Sequence, residues 1–230
     1  MSRLGREPIL VTGCTGFIAK HIVQRLATEG YKVRGTLRDP SREHEVRSIL
    51  RATGIPDDRF EARRCDLTSG EGWDEATRGC RFVLHTASPF PSSFPSDKFA
   101  LVPAARDGTI RVLRAAERAG CERVVLTSSV ASIFYGHEHV VGRRFTEQDF
   151  SNVESPTISA YAVSKTEAEK AAWDCLKDSS TSLTAINPSL VLGPALDTRV
   201  GTSLNIIRLM MKGRMPIVPN VGFGIVDVRD

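Results

Sequence analysis

Long apolar runs are missing from this chain. The longest are short, such as residues 124–126, far below the ~20 consecutive residues that a membrane-spanning helix needs. The first eight residues, Met1-Ser2-Arg3-Leu4-Gly5-Arg6-Glu7-Pro8, lack an apolar signal region. A membrane protein and a secreted one are therefore not expected, and a cytoplasmic location is. Cysteine is sparse and unpaired in pattern. Cys14, Cys65, Cys80, Cys121 and Cys175 are five in number, widely spaced, and form no C-x-x-C pair. That argues against a disulfide framework and against a zinc site. Charge of one sign is also missing: 31 basic against 27 acidic residues leave a net +4 over 230 residues, with no basic stripe of the kind that nucleic-acid binders use. Low-complexity and collagen-like segments are absent too, and 41% hydrophobic with 25% charged residues is ordinary globular usage. His137 and His139 stand two apart in a loop, without a carboxylate or cysteine at ligand spacing, so no metal is expected.

What is present is an alternation of β-rich and helical stretches. Strands are expected at residues 9–12, 31–37, 59–64, 81–86, 123–128, 182–187 and 224–228. Helices are expected at 16–29, 43–53, 101–119, 159–177 and 203–212, from apolar residues at helical spacing and glycines such as Gly30 and Gly120 just past the ends. Continuous apolar strands alternating with helices predict an α/β fold, a doubly wound parallel sheet of Rossmann type in three layers. Loops concentrate at 89–97, at 136–156 and after Gly193. Ligands of such sheets bind outside the carboxyl ends of the strands.

The first strand runs into Thr12-Gly13-Cys14-Thr15-Gly16-Phe17-Ile18-Ala19. Gly13 permits a tight turn, Gly16 lets backbone approach a pyrophosphate, and the following helix offers unpaired N–H groups with a partial positive charge. Ala19, in the place of a third glycine, still allows close helix–strand packing. A glycine pattern between a strand and a helix near the N-terminus predicts dinucleotide binding. The second strand ends in Leu37-Arg38-Asp39-Pro40, with Arg42 close behind. An arginine there accommodates the 2′-phosphate of NADP, whereas an acidic residue binds the ribose 2′-hydroxyl of NAD. Arg38 favours NADP. Asp39 either favours NAD or caps the next turn.

Further on, Tyr161 and Lys165 stand four apart in a helical stretch and share one face. Strand five ends in Thr127-Ser128-Ser129. A tyrosine hydroxyl has an ordinary pKa near ~10. A neighbouring ammonium would lower it and make the phenol a usable acid or base. A serine hydroxyl can hold a substrate oxygen while charge develops on it.

This set resembles the extended short-chain dehydrogenase/reductases. Leu37-Arg38-Asp39-Pro40, Cys65-Asp66-Leu67, His85-Thr86-Ala87-Ser88-Pro89, the stretch from Ser164 to Trp173, and Asn187-Pro188-Ser189-Leu190-Val191-Leu192-Gly193-Pro194 are similar to the branch that holds dihydroflavonol reductase, cinnamoyl-CoA reductase and microbial ketone or aldehyde reductases. The resemblance runs from about residue 9 to residue 230. It implies an NADP-dependent reduction of an aldehyde or ketone, a small-molecule substrate, and a monomer or homodimer. Ser129 would bind the carbonyl oxygen, Tyr161 would protonate it, and Lys165 would also hold the nicotinamide ribose. Gly13, Thr15, Gly16, Phe17 and Ile18 would form the phosphate loop. Asp66 and Leu67 would flank the adenine, Thr86, Ala87 and Ser88 would line the cofactor path, Pro188 and Val191 would position the nicotinamide, and Ser203 would touch the pyrophosphate.

Phe134 stands where the plant flavonoid enzymes carry an asparagine, which speaks against a dihydroflavonol substrate. Members of the branch continue well past the final Val226-Asp227-Val228-Arg229-Asp230. Residues 1–192 are thus expected to form a dinucleotide-binding domain with the catalytic residues, and 193–230 the start of a substrate lobe with one wall missing. The strand ending in Val228 would then have few partners. Two other readings stay open: a catalytically weak or silent NADP-binding module, and a nucleotide-sugar epimerase or dehydratase using NAD.

Overall fold

A computed structural model describes residues 7–88, 95–138, 140–199, 201–214 and 222–230. His139 and most of the 89–97 loop lie outside the described residues. Eight strands are described. Six form one parallel sheet: β1 (Ile9–Thr12), β2 (Val33–Leu37), β3 (Phe60–Arg64), β4 (Phe82–His85), β5 (Arg123–Thr127) and β6 (Ser182–Ile186). Their spatial order is β3-β2-β1-β4-β5-β6, the Rossmann order, with the switch point between β1 and β4. The expected α/β doubly wound sheet is therefore what the chain forms. Leu10 sits between Arg34 on one side and Val83 on the other. That central position explains why Leu10 and Val11 are wholly buried and why β1 reads as a continuous apolar run.

Helices α1 (Phe17–Thr28), α2 (Glu43–Ala52), α3 (Trp73–Thr77), α4 (Val102–Arg118), α5 (Ala160–Leu176) and α6 (Thr202–Met211) connect or follow the strands. An apolar core lies on each face of the sheet. Val11, Ala19, Val23, Val33, Val46, Leu50 and Phe60 pack under α1 and α2. Leu10, Trp73, Val83, Val112, Leu113, Val124 and Ala172 pack under α3, α4 and α5. Helix α5 is buried along both flanks, and small residues at Ala162, Ala168 and Ala172 make that possible. Ser159 starts it, its hydroxyl accepting the N–H of Ala162 at 3.2 Å, a side-chain cap of the usual kind. In α4, a Cβ on Gly108 would come within 2.9 Å of Leu67 Cβ, so the glycine lets α4 close onto the segment after β3.

The structure departs from the sequence expectation at several short elements. Helix α3 is too short to show a helical period, and its signal was missed; buried Trp73 anchors it by donating its indole N–H to the carbonyls of Asp66 and Ser69. A 3-10 turn at Val130–Ser132 follows β5 directly. A further strand, β7 (Leu190–Leu192), pairs in parallel with β8 (Ile225–Asp227). Residues 225–227 thus have a partner, in a segment read from sequence only as a motif.

Candidate active site

The first element of the site is the turn after β1. Gly13 has φ +64°, and a Cβ there would lie 3.1 Å from Ala87. A left-handed backbone against a neighbouring strand end leaves room for glycine alone. The Gly13 N–H donates to Thr36 Oγ1 at 3.1 Å, and the Gly16 N–H donates back to the Gly13 carbonyl at 2.8 Å. Gly16 begins α1 without a side-chain cap, and the first turn holds no acidic residue. The N–H groups and positive end of α1 are thereby left to an anion. Thr15, Phe17 and Ile18 are half-buried around the turn. Gly201, which precedes α6, rests against Phe17, and Ser203 lies half-buried in the first turn of α6.

Thr12 joins this turn to the end of β4. Its Oγ1 accepts the N–H groups of Thr86 and Ala87 at 3.1 and 3.0 Å. Its own proton is then left for His85 Nδ1 at 2.8 Å. Burial, helped by the charge of Lys165, pushes the His85 imidazole down to about 3, so it is neutral. Ser88 follows in an exposed position.

At the end of β2, Arg38 is exposed. Asp39 is turned away to a local task, because its Oδ1 accepts the Ser41 N–H and hydroxyl at 3.0 and 2.7 Å. Of the two readings for Asp39, the turn cap is the one formed. Arg42 is engaged by Glu45 through two bonds of 2.8 and 3.0 Å, whereas no ion pair among the described residues involves Arg38. After β3, Asp66 accepts the N–H and hydroxyl of Thr68, both at 2.8 Å, and those bonds hold its carboxyl below the usual range. The Leu67 carbonyl accepts from Arg111 at 2.6 Å.

Ser129, Tyr161 and Lys165 converge beyond β5. Ser129 is 8% exposed and starts the 3-10 turn, its Oγ accepting the Ala131 N–H at 3.1 Å. Burial pushes the Tyr161 phenol up, against a hydrogen bond with Ser129 that pulls it down. The expectation that Lys165 would lower this pKa is not met. Lys165 instead donates to the Thr127 carbonyl at 3.2 Å, and its own burial brings it down to about 8. The outcome at pH 7 is a protonated phenol next to a hydroxyl and near a cation. Pro188 and Val191 flank this end of the sheet. The Pro188 carbonyl accepts the Val130 N–H at 3.1 Å, and Val191 pairs with Val226. Phe134 is half-exposed and stacked on Tyr135, with ring centroids 4.5 Å apart.

Sequence reading missed three participants. Glu169, Ser132 and Asn187 form a buried polar network behind Ser129. For Glu169 a signal existed, since it continues the four-residue spacing of Tyr161 and Lys165 along α5. Among the described residues no group of three or more His, Cys, Asp or Glu side chains could hold a metal, and His137 is occupied with the Phe150 carbonyl at 2.9 Å. No described helix is long and apolar enough to cross a membrane.

Comparison with known proteins bears on this geometry. The model of the NAD dependent epimerase/dehydratase family matches residues 9–222. Cinnamoyl-CoA reductase CAD2 of Medicago truncatula is 35% identical, over 100% of this chain and 71% of that protein. An anthocyanidin reductase of Vitis vinifera is 30% identical, over 91% of this chain and 63% of that protein. Among solved structures, yeast methylglyoxal/isovaleraldehyde reductase Gre2 complexed with NADPH superposes with a TM-score of 0.83 at 30% identity, over 96% of this chain and 71% of that one. The chain thus spans about two thirds to seven tenths of these relatives. A match this extended, on a sheet of Rossmann order, leaves one assignment: the chain belongs to the NAD dependent epimerase/dehydratase family, the extended short-chain dehydrogenase/reductases that its motifs resemble.

Proposed function

We propose that this chain is an NADPH-dependent oxidoreductase that reduces an aldehyde or ketone to an alcohol. The observation that carries the reading is Tyr161, half-buried and hydrogen-bonded to Ser129, at the same carboxyl end of the sheet as the Gly13–Gly16 turn. A phenol hydroxyl beside a serine hydroxyl can give a proton to a carbonyl oxygen held between them, which is what reduction of a carbonyl requires.

The residues present fit a dinucleotide. The turn closed by Gly13 and Gly16, with Thr15, Phe17, Ile18 and Ser203 about it, would hold the pyrophosphate at the head of α1. Arg38 would pair with a 2′-phosphate, because Arg42 and Asp39 are committed to Glu45 and Ser41. Asp66 and Leu67 would flank the adenine, and Thr86, Ala87 and Ser88 would border the path towards Pro188 and Val191. When bound, NADPH supplies the hydride to the carbonyl carbon. Ser129 would hold the carbonyl oxygen through its hydroxyl, whose Oγ already accepts the Ala131 N–H. Tyr161 would give its proton to that oxygen as negative charge builds there. Lys165 would hold the ribose and keep a positive charge near the phenol. On this reading residues up to 192 carry the cofactor and the catalytic groups, and residues 193–230 begin the substrate side. NADPH in the Gre2 complex and the reductase relatives support reduction over epimerisation.

The experiment is a panel of aldehydes and ketones with NADPH and with NADH, on the native chain and on Arg38→Ala. Turnover with NADPH is expected, and Arg38→Ala should weaken NADPH much more than NADH, since NADH carries no 2′-phosphate. Equal weakening would remove Arg38 from the cofactor site. No turnover with any carbonyl would defeat the reductase reading.

A further inference from the structure

We propose that Glu169 is a positioning residue of this site, fixing the segment that carries Ser129 and serving as the counter-charge of Lys165. The inference rests on the reductase reading for its kinetic consequences but not for its electrostatic one.

Glu169 lies four residues past Lys165 on α5 and is 3% exposed. One carboxylate oxygen, Oε2, accepts three side-chain donors: the Ser128 hydroxyl, the Ser132 hydroxyl at 2.6 Å and the Asn187 amide at 2.8 Å. Convergence of three donors on one oxygen suits an ionised carboxylate, which only accepts. The donors come from two loops. Ser128 and Ser132 bracket Ser129 after β5, and Asn187 follows β6. The loops are then cross-tied around Ser129 itself: its carbonyl accepts from Asn187 Nδ2 at 3.2 Å and lies 2.7 Å from Ser132 Oγ, whose single proton it shares with Glu169. The Ser129 backbone is thus held on both sides by groups that Glu169 orients. Chains of such bonds stiffen a buried site when every member is satisfied.

The second role follows from where the charge sits. The titratable groups around Lys165 are Tyr161 and Glu169 on its own helix and His85 at the end of β4. Burial keeps Tyr161 protonated and His85 neutral. Glu169 is the group whose negative charge opposes the burial of Lys165. Without it, desolvation would act alone and Lys165 would lose its proton nearer neutral pH.

Two variants separate the roles. Glu169→Gln keeps an oxygen acceptor and removes the charge. Glu169→Asp keeps the charge and withdraws it from the serines by one methylene. The titration of Lys165 is followed in the ligand-free protein by NMR of side-chain-labelled lysine, its resonance assigned with Lys165→Arg. In Glu169→Gln the Lys165 midpoint should fall by about one pH unit, tenfold in proton affinity, and the alkaline limb of the kcat profile should move down with it. In Glu169→Asp the midpoint should hold while kcat falls about tenfold or more with little change in KM, the mark of a misplaced reacting group. An unmoved Lys165 midpoint in Glu169→Gln overturns the counter-charge role, and a native rate in Glu169→Asp overturns the positioning role. If Glu169→Gln does not fold, the Glu169→Asp rate decides. A native chain that reduces no carbonyl, yet whose Lys165 midpoint shifts in Glu169→Gln, defeats the reductase reading and leaves the counter-charge standing.

Discussion

Replacing Glu45 by Gln should lower stability by about 3 kcal/mol at neutral pH, and by much less in acid. Glu45 is 8% exposed and gathers three cations. Arg42 binds both its oxygens, Lys20 donates at 2.9 Å, and Arg199 reaches it at 3.2 Å. Lys20, itself buried, also meets Asp197. The cluster fastens the segment after β7 to α1 and α2. The Arg42 hydrogen bonds, assisted by Lys20 and opposed by burial, hold the Glu45 carboxyl at about 2 instead of 4.5. At ~1.4 kcal/mol for each pH unit, that difference is worth about 3 kcal/mol. The folded pKa is depressed, so the contribution is fully present above pH 4.5 and is lost as pH falls through about 2. Urea denaturation of both proteins at pH 7 and pH 3 is the assay. The native chain should exceed Glu45→Gln by about 3 kcal/mol at pH 7 and by less than half of that, about 1.4 kcal/mol, at pH 3. A gap below about 1 kcal/mol at pH 7, the range of exposed ion pairs, would refute the reasoning. So would a gap of equal size at both pH values.

Tyr161→Phe should lower carbonyl reduction by ~10²-fold or more while calorimetric NADPH affinity stays close to native, because only the proton donor is lost. Retention of a tenth of the native rate would remove Tyr161 as the acid. Gly13→Ala should cost about 1–2 kcal/mol of stability in thermal or urea melts from its φ of +64° alone. It should also weaken NADPH binding, since the added Cβ presses on Ala87 beside the loop; native affinity would show that the turn does not hold the pyrophosphate.

How far the sequence reaches is seen best at α5. That Tyr161 and Lys165 share one face was legible because helical spacing is a local property; the Ser159 cap was not read from the sequence. The strand–turn–helix at Gly13 was legible for the same reason, since a left-handed turn demands glycine wherever it occurs. The parallel sheet followed from continuous apolar strands between amphipathic helices, a composition that only burial on both faces satisfies. Bounds moved by a residue or two at most elements, as helix and strand ends do. The resemblance of the motifs to a family was likewise a property of the chain alone.

What the tertiary structure decided depends on groups far apart in sequence. The β7–β8 pairing joins Leu190–Leu192 to Ile225–Asp227, and nothing in three apolar residues names a partner so distant. Asp39 could be read either as a cofactor ligand or as a cap until its bonds to Ser41 were seen. Lys165 beside Tyr161 in sequence suggested a lowered phenol pKa. Burial, which no local pattern reports, pushes the phenol up instead. Glu169 looked like a helix residue among others. Only folding brought Ser128, Ser132 and Asn187 onto its one oxygen, because hydrogen bonds between loops exist only after the strands that carry them have packed side by side.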